Sequence, residues 1–152
     1  MKTIISLLSL KVIKEKDEKY NLEQRVTRPE VAHDVAIKVL EMHERPEEIM
    51  ALITLDTKNK ITGVFVVSTG TINASLVHPR EIFKRAMLQN AASIILMHNH
   101  PSGDPDPSVE DIEITRRLVE AGNIIGISIL DHVIIGDEYN FYSMAENSVG
   151  GL

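Results

Sequence analysis

The sequence predicts an α/β domain with a mixed sheet, and three observations support this fold class. Apolar runs rich in β-branched residues, such as Ser93–Met97, are typical of buried strands. Pro29 and Pro79 begin two segments with helical spacing of apolar residues. The polar run Asp56–Lys60 between two apolar segments predicts a hairpin, so at least one pair of strands is antiparallel.

The predicted elements follow in the order strand, helix, hairpin, helix, strand, helix, strand, strand. The predicted strands are Thr3–Ile13, Met50–Asp56, Ile61–Ser68, Ser93–Met97, Ile127–Ile135 and Glu138–Met144. The predicted helices are Pro29–His43, Pro79–Asn90 and Ser108–Ala121. Gly122 is expected to close the last helix, because glycine readily adopts the left-handed backbone of a C-cap.

The composition limits the kinds of site that this chain can form. A chain of 152 residues is expected to form one domain, residues 1–152. It contains no cysteine, which excludes disulfides, zinc fingers and the cysteine-ligated zinc of nucleic-acid deaminases. Any metal ion must therefore be bound by His, Asp or Glu, a ligand set that suits zinc or another divalent ion.

The charge distribution argues against direct DNA binding by this chain alone. The formal net charge is −6, whereas DNA-binding domains carry a basic surplus or a basic stripe. Four lysines cluster in Lys11–Lys19, but three acidic residues interrupt them. The apolar segment Met1–Leu10 is too short to span a bilayer and lacks a signal-peptide cleavage site. A cytoplasmic protein without membrane contacts is the expectation.

The most informative segment follows the predicted strand Ser93–Met97. His98 and His100 are two residues apart, so on a strand both side chains point to the same face. A loop rich in proline and glycine then leads to a predicted helix start that contains Asp111. Two neutral imidazoles and a carboxylate are a suitable three-ligand set for catalytic zinc, with the fourth position left to water.

Each of these residues also has a purely structural interpretation. The two histidines could simply belong to a polar turn after the strand. Ser108 and Asp111 have the spacing of a capping box, in which both side chains satisfy backbone N–H groups at a helix start. The combination favours the metal site, because open α/β sheets build their sites where strand ends face helix N-termini.

The spacing H-x-H-x(7)-S-x(2)-D resembles the JAMM motif of the MPN/JAB metalloenzymes. Its four positions are matched by His98, His100, Ser108 and Asp111. Three longer segments resemble the RadC branch of that family, namely His98–Ser108, Gly70–Glu81 and Leu130–Gly136. The resemblance runs from about Arg25 to the C-terminus, with a motif-bearing core at about 25–145. It implies a three-layer α-β-α fold with a mixed sheet, the cytidine-deaminase-like architecture of MPN/JAB proteins.

The resemblance also implies an activity and a role for each motif residue. One Zn²⁺ per chain would be held by His98, His100 and Asp111 in a hydrolase that cleaves peptide or isopeptide bonds, for example in protein tails. A glutamate on an early strand is the general base in this family. Glu48 matches that pattern, Glu47 is the neighbouring candidate, and both could instead be ordinary surface acids.

Ser108 has two competing roles. As a helix N-cap it would satisfy a backbone N–H group. In the family the serine stabilises the oxyanion of the tetrahedral intermediate, and that role needs the same side chain.

The RadC resemblance also implies an alternative, an accessory metal-binding module associated with DNA repair or recombination. Full-length RadC-type proteins carry an N-terminal helix-hairpin-helix region, and only about 25 residues precede the matching segment here, which is typical of a short form. A structural metal needs a closed shell, whereas three ligands beside an acid leave one position open. The sequence therefore favours the hydrolase over the accessory module.

The remaining histidines and one asparagine are interpreted from their positions. Asn99 lies between the two candidate ligands and should point to the opposite face, in a structural role. His33 and His43 are expected at the surface. His78 precedes Pro79 at a predicted helix start, in a segment that resembles the family, where it could line the pocket.

The remaining candidates lie in two further segments. Asp131 and His132 interrupt an apolar strand, which is unfavourable unless both side chains are paired. His132 either supports the site or contacts the substrate, or it forms a satisfied core pair with Asp131. The segment Thr69–Asn73 is expected to line a substrate groove, on the resemblance alone.

Overall fold

The computed structural model describes residues 3–70 and 77–152. The helices are α1 (Pro29–Lys38), α2 (Pro79–Leu88) and α3 (Val109–Ile125), with a 3-10 turn at Met42–Glu44. The strands are β1 (Ile49–Leu55), β2 (Ile61–Thr69), β3 (Ser93–Asn99), β4 (Ser128–Ile135) and β5 (Phe141–Ser143). They form one sheet in the order β2-β1-β3-β4-β5. Of these described strands only β3 and β4 pair in parallel, which confirms the mixed sheet.

Helices cover both faces of the sheet, which gives the three layers that the resemblance implies. The residues that face α1 alternate along the central strands; they include Ala51, Ile53, Ile95, Met97, Val133 and Ile135. The intervening residues face α2 and α3; they include Met50, Leu52, Ile94 and Leu96. β1 and β3 are buried along their whole length, in agreement with their continuous apolar sequences. No helix within the described ranges is long and apolar enough to cross a lipid bilayer.

The hairpin between β1 and β2 forms where its turn residues predict it. Asp56 Oδ1 accepts hydrogen bonds from the backbone N–H groups of Lys58 (2.8 Å) and Lys60 (2.9 Å). Asn59 provides the left-handed backbone position, with φ of 56°. The turn fixes the register of the hairpin, and β1 then pairs with β3 on its other side.

The connection between β3 and β4 positions the candidate site. Parallel neighbours need a crossover, and α3 provides it. The helix starts beside the carboxyl end of β3 and packs against β4 as the chain returns. A helix N-terminus thus faces the strand end that carries the predicted ligands.

The end of α3 differs from the prediction. The helix continues through Gly122 to Ile125, and Gly126, with φ of 83°, is the left-handed C-cap. A Cβ atom on Gly122 would lie 2.6 Å from the carbonyl oxygen of Ile127. Glycine at position 122 therefore permits a close approach of the following chain to the helix, and the predicted cap there is wrong.

Two further elements are shorter than predicted. α1 ends at Lys38, because Glu41 adopts a left-handed backbone (φ 50°) that interrupts the helical hydrogen bonds before Met42–Glu44. The last strand, β5, covers only Phe141–Ser143. The elements that form the site, β1, β3 and α3, begin within one residue of their predicted starts.

The segment Thr3–Ile13, predicted as a strand, has no regular secondary structure. Its apolar side chains lie at the surface, with Ile4 at 95% and Leu7 at 101% exposure. A strand is stable only when a neighbour satisfies its backbone N–H and C=O groups. This segment pairs with none of the described strands, so its apolar pattern alone does not form one.

The expectation that His33 lies at the surface is also wrong. The residue is only 7% exposed on the inner side of α1. Its Nε2 lies 3.1 Å from the carbonyl oxygen of Asp137, and its ring stacks on Phe141 at 4.8 Å between centroids. His43 is partly buried, with 20% of its side chain exposed. Of the proposed groove segment, residues 71–73 lie outside the described residues.

Candidate metal centre

The predicted ligands meet where the carboxyl end of β3 faces the start of α3. His98 is the second-last residue of β3 and is completely buried. Asp111 lies in the first turn of α3 and is also buried. His100 follows β3, and 15% of its side chain is exposed. The group is therefore buried on one side and accessible through His100 on the other.

Donor atoms of all three residues point to a common centre. His98 Nε2 lies 2.9 Å from His100 Nε2. Asp111 Oδ1 lies 3.3 Å from His98 Nε2, and its Oδ2 lies 3.3 Å from His100 Nε2. Ligands bound tetrahedrally to zinc at about 2.0–2.1 Å are about 3.3 Å apart. The spacing of these donor atoms therefore fits a metal ion such as zinc.

The proton on His100 is placed so that its Nε2 can bind a metal. His100 Nδ1 lies 2.7 Å from the carbonyl oxygen of Asp104. A carbonyl oxygen only accepts, so Nδ1 carries the hydrogen and Nε2 has the lone pair in the neutral ring. Metal-binding histidines usually donate their other ring N–H to such a partner. The loop between β3 and α3 thus orients one ligand.

The local electrostatics keep Asp111 ionised. Burial alone would raise the pKa of this carboxyl, but its contacts with His100, His98 and Ser108 outweigh burial and hold the pKa well below its ordinary value. The same contact with Asp111 raises the pKa of His100; burial opposes this shift, and the carbonyl of Asp104 assists it. The carboxylate of Asp111 thus faces the ring nitrogens of His98 and His100 in its charged form, as a cation ligand requires.

Ser108 forms the capping box and also holds Asp111. Ser108 Oγ accepts a hydrogen bond from the backbone N–H of Asp111 at 3.1 Å. The hydroxyl and the backbone N–H of Ser108 donate to Asp111 Oδ2, at 2.7 and 2.8 Å. The structural and the metal-site interpretations of this pair are therefore compatible, because the capping bonds orient the carboxylate whose Oδ1 faces His98.

The strand register predicts that Glu48 shares the face of the candidate ligands. Met50 lies opposite His98 at the end of the β1–β3 pairing, and Glu48 precedes Met50 by two residues. Glu48 is half-buried, and its charge helps to raise the pKa of His100. Glu47 is exposed. The charge of Glu48 thus reaches the candidate ligands, and its role as the base stays a prediction.

Asn99 has the structural contacts that its position predicts. Its Oδ1 accepts a hydrogen bond from the backbone N–H of Ile49 at 2.6 Å. Its Nδ2 donates to the carbonyl oxygen of Glu47 at 3.0 Å. Both bonds fasten the start of β1 to the end of β3, and so they position the segment that carries Glu48.

A third histidine reaches the ligands from β4. His132 is completely buried, and its Nε2 lies 2.7 Å from His98 Nδ1. Its Nδ1 lies 2.6 Å from Thr115 Oγ1. The carboxylate of Asp131 accepts a hydrogen bond from Ser143 Oγ at 2.7 Å, on the opposite face of the sheet. Asp131 and His132 therefore do not form a side-chain pair with each other.

Thr115 was not singled out from the sequence, because it belongs to no sequence motif. It lies four residues after Asp111, on the same face of α3. That spacing is the signal that would have identified it. His78 caps α2, a role that was not predicted from the sequence: its Nδ1 accepts the backbone N–H of Arg80 at 3.1 Å.

Comparison with known protein families agrees with this fold and this residue group. The model of the RadC-like JAB domain family matches residues 26–149. The chain belongs to this family. The match covers β1 to β5, both histidines of the candidate centre and Asp111, which confirms the resemblance found in the sequence.

Similar proteins from bacteria and archaea carry the name UPF0758 protein, which states no activity. One from Caldanaerobacter subterraneus is 54% identical over 112 residues, which cover 74% of this chain and 47% of that protein. One from Clostridium beijerinckii is 48% identical over 130 residues, 85% of this chain and 55% of that protein. One from Methanosarcina acetivorans is 58% identical over 96 residues. The chain spans about half the length of the curated relatives it matches.

Proposed function

We propose that the chain is a zinc-dependent hydrolase that cleaves peptide or isopeptide bonds with an activated water. The main support is the convergence of ligand atoms from His98, His100 and Asp111 at a strand end. When zinc is bound at such a site, it lowers the pKa of a coordinated water to about 7 and polarises a carbonyl group. This chemistry suits a chain that has no cysteine nucleophile.

The ligand count supports a catalytic metal better than a structural one. Structural zinc sites usually close their shell with four protein ligands. The described residues bring three together, and residues 1–2 and 71–76, outside that description, contain no His, Cys, Asp or Glu. One position is left for water or substrate. We therefore favour the hydrolase over the accessory module.

Glu48 is proposed as the general base. It is half-buried, it precedes Met50, the residue opposite His98, by two positions, and its charge helps to raise the pKa of His100. A carboxylate in this position accepts a proton from the attacking water and delivers it to the leaving amine. Glu47 is exposed and is not a candidate under this proposal.

Ser108 is proposed to have two roles, one after the other: its hydroxyl first holds Asp111 and then stabilises the oxyanion. Its hydroxyl has one proton, which it donates to Asp111 Oδ2, and an oxyanion would need the same proton. The backbone N–H of Ser108 also donates to Oδ2. The carboxylate thus stays anchored when the hydroxyl turns toward a substrate.

Bound zinc and hydrolysis of a peptide library, measured on the same preparations, test this proposal. Wild type and Glu48→Gln should each hold about one zinc ion, but only wild type should hydrolyse peptides. Glu47→Gln is the matched control and should retain both properties. Undiminished turnover by Glu48→Gln, or by wild type after prolonged chelation, would contradict the mechanism. Zinc binding without hydrolysis of any peptide would favour the accessory module.

A further inference from the structure

We infer that His132 and Thr115 are positioning residues of the metal centre, which fix His98 in the tautomer whose Nε2 can bind a metal. Neither residue is a candidate ligand, and neither belongs to the sequence motif. The inference rests on the metal site of the proposed function and is independent of whether the chain hydrolyses peptides. It follows from counting the protons along one chain of buried hydrogen bonds.

The count begins at Thr115, whose hydroxyl carries a single proton. Thr115 Oγ1 lies 2.6 Å from the carbonyl oxygen of Asp111 and 2.6 Å from His132 Nδ1. The carbonyl oxygen has no hydrogen, so that contact is a hydrogen bond only when Thr115 donates. His132 Nδ1 must then carry a hydrogen and donate it to Thr115 Oγ1, since two lone pairs would otherwise face each other.

The count continues through His132 to the ligand. A neutral imidazole has one N–H, so a hydrogen on Nδ1 leaves a lone pair on Nε2. His132 Nε2 lies 2.7 Å from His98 Nδ1, which therefore donates. His98 then has its lone pair on Nε2, the atom that lies 3.3 Å from Asp111 Oδ1 and 2.9 Å from His100 Nε2.

The other proton arrangements do not allow metal binding at His98. If Thr115 donated to His132 instead, His132 would donate to His98, and the proton of His98 would occupy Nε2. A doubly protonated His132 would have the same effect on His98. His132 is completely buried, and the hydrogen-bond partners of its ring are His98 and Thr115 rather than a carboxylate, which favours a neutral ring.

The hydrogen-bond chain also connects two of the ligands. It runs from the ring of His98 on β3 through His132 on β4 to Thr115, and it ends on the backbone carbonyl of Asp111. His100 is oriented separately, by the loop carbonyl of Asp104. Each histidine ligand therefore has its own partner for the second ring nitrogen, and that of His98 is a side chain that mutation can remove.

Thr115→Val gives the sharpest test, because it removes the hydroxyl and keeps nearly the same shape. Zinc affinity, measured in competition with a chromophoric chelator, should fall about 10–100-fold, the effect typical of losing such an outer partner. Thr115→Ser keeps the hydroxyl and should bind zinc like wild type. Thr54→Val is the matched control, since Thr54 is also buried and donates to a backbone carbonyl, that of Gly63, on β2. Its zinc affinity should not change.

A second pair of variants tests His132 itself. His132→Leu removes the acceptor for His98 and should weaken zinc binding over the same 10–100-fold range. His132→Gln should restore part of the affinity, because an amide can both accept from His98 and donate to Thr115. Thermal unfolding of the metal-free variants shows whether each one folds. If His132→Leu does not fold, the comparison of Thr115→Val with Thr115→Ser remains the test.

Nitrogen-15 spectra of the zinc-loaded protein report the tautomers directly. Wild type should show a hydrogen on Nδ1 of both His98 and His132. Equal zinc affinity of Thr115→Val and Thr115→Ser, or a hydrogen on His132 Nε2, would overturn the inference and leave the proposed function standing. A wild-type protein that binds no zinc would overturn both.

Discussion

The two faces of the sheet carry buried polar residues at neighbouring positions, and they use them differently. On the α1 face, Asp131 accepts hydrogen bonds from Ser143 Oγ and from the backbone N–H groups of His132 and Ala145. Each carboxylate oxygen there has donors as partners. On the α3 face, His98 lies three residues beyond Ile95, the β3 partner of Asp131, and its Nε2 faces the Nε2 of His100 at 2.9 Å.

This difference separates structural from functional polar groups. A buried polar atom that faces a complementary partner stabilises the fold and leaves nothing to bind. Ring nitrogens and a carboxylate that face one another are stable only with a proton or a cation between them. On this criterion Asp131 and Asn99 are structural, and His98, His100 and Asp111 are a group that could hold a metal ion.

The largest expected contrast is between two aspartates. Asp111→Ala should lose zinc binding by more than about 100-fold, the upper end for removal of an outer partner, because a ligand itself is lost. Asp131→Asn should bind zinc normally and lose about 1–3 kcal/mol of unfolding free energy, because a hydrogen bond to a buried group is disturbed. Chelator competition and urea unfolding measure the two effects. Equal zinc affinities of the two variants would remove the distinction between the faces.

The pH dependence of zinc binding should be the next largest effect. Zinc needs the lone pair of His100, and the hydrogen bond to Asp111 raises the pKa of that ring above its ordinary value of 6.5. Below that raised pKa the proton competes, so affinity should fall about tenfold for each pH unit. Titrations between about pH 5.5 and 8.5 check this slope. An affinity that stays constant over that range would exclude His100 as a ligand.

The metal-free protein should show the opposite trend with pH. The raised pKa of His100 means that protonation stabilises the fold, so this contribution is fully present below pH 6.5 and is lost as the pH rises through the folded pKa. The lowered pKa of Asp111 means that its ionised form stabilises the fold. This stability is present above the ordinary pKa of 3.8 and is lost as the pH falls through the folded pKa. Urea unfolding measures both trends near neutral pH. As the pH rises, the unfolding free energy should fall without zinc and rise with zinc.

Much of this molecule could be predicted from the sequence, because its central elements carry strong local signals. β1 and β3 are continuous apolar runs, and the proline starts of α1 and α2 lie where predicted. The ligand group follows from the two-residue period of a strand and one helix start. Glu48 is preferred over Glu47 by the same period, once the β1–β3 register is known.

The remaining errors concern contacts that depend on distant parts of the chain. Thr3–Ile13 has the pattern of a strand but no partner. Gly122 resembles a cap but accommodates the carbonyl of Ile127. His33 is buried by Phe141, more than a hundred residues later. The contact of His132 with Thr115 likewise joins β4 to α3. The local sequence offered a supporting role for His132 as one of several alternatives, but it did not indicate Thr115 as the partner.

Asn99→Ala tests a structural group that lies directly between two ligands. It removes the acceptor for the buried N–H of Ile49, so unfolding free energy should fall by about 1–3 kcal/mol. Zinc affinity should stay close to wild type, because the side chain lies on the other face. Asn147→Ala is the control: its amide contacts the carbonyl of Ser143 at the surface, and the change should stay within about 0.5 kcal/mol. A loss of zinc binding by Asn99→Ala would show that the faces are coupled.

Ser108→Ala should have a smaller effect on stability than the changes at Asp131 and Asn99, and it shows how the two roles of Ser108 combine. Loss of the cap at the start of α3 should lower the unfolding free energy by about 1 kcal/mol, since an alanine N-cap leaves the N–H of Asp111 unpaired. Asp111 Oδ2 keeps one of its two donors from residue 108, the backbone N–H, so zinc should still bind, but more weakly than in wild type. Ser108→Thr keeps the hydroxyl and should retain both properties. If Ser108→Ala lost stability with unchanged zinc affinity, Ser108 would be a helix cap alone, and the α3 face would hold Asp111 without it.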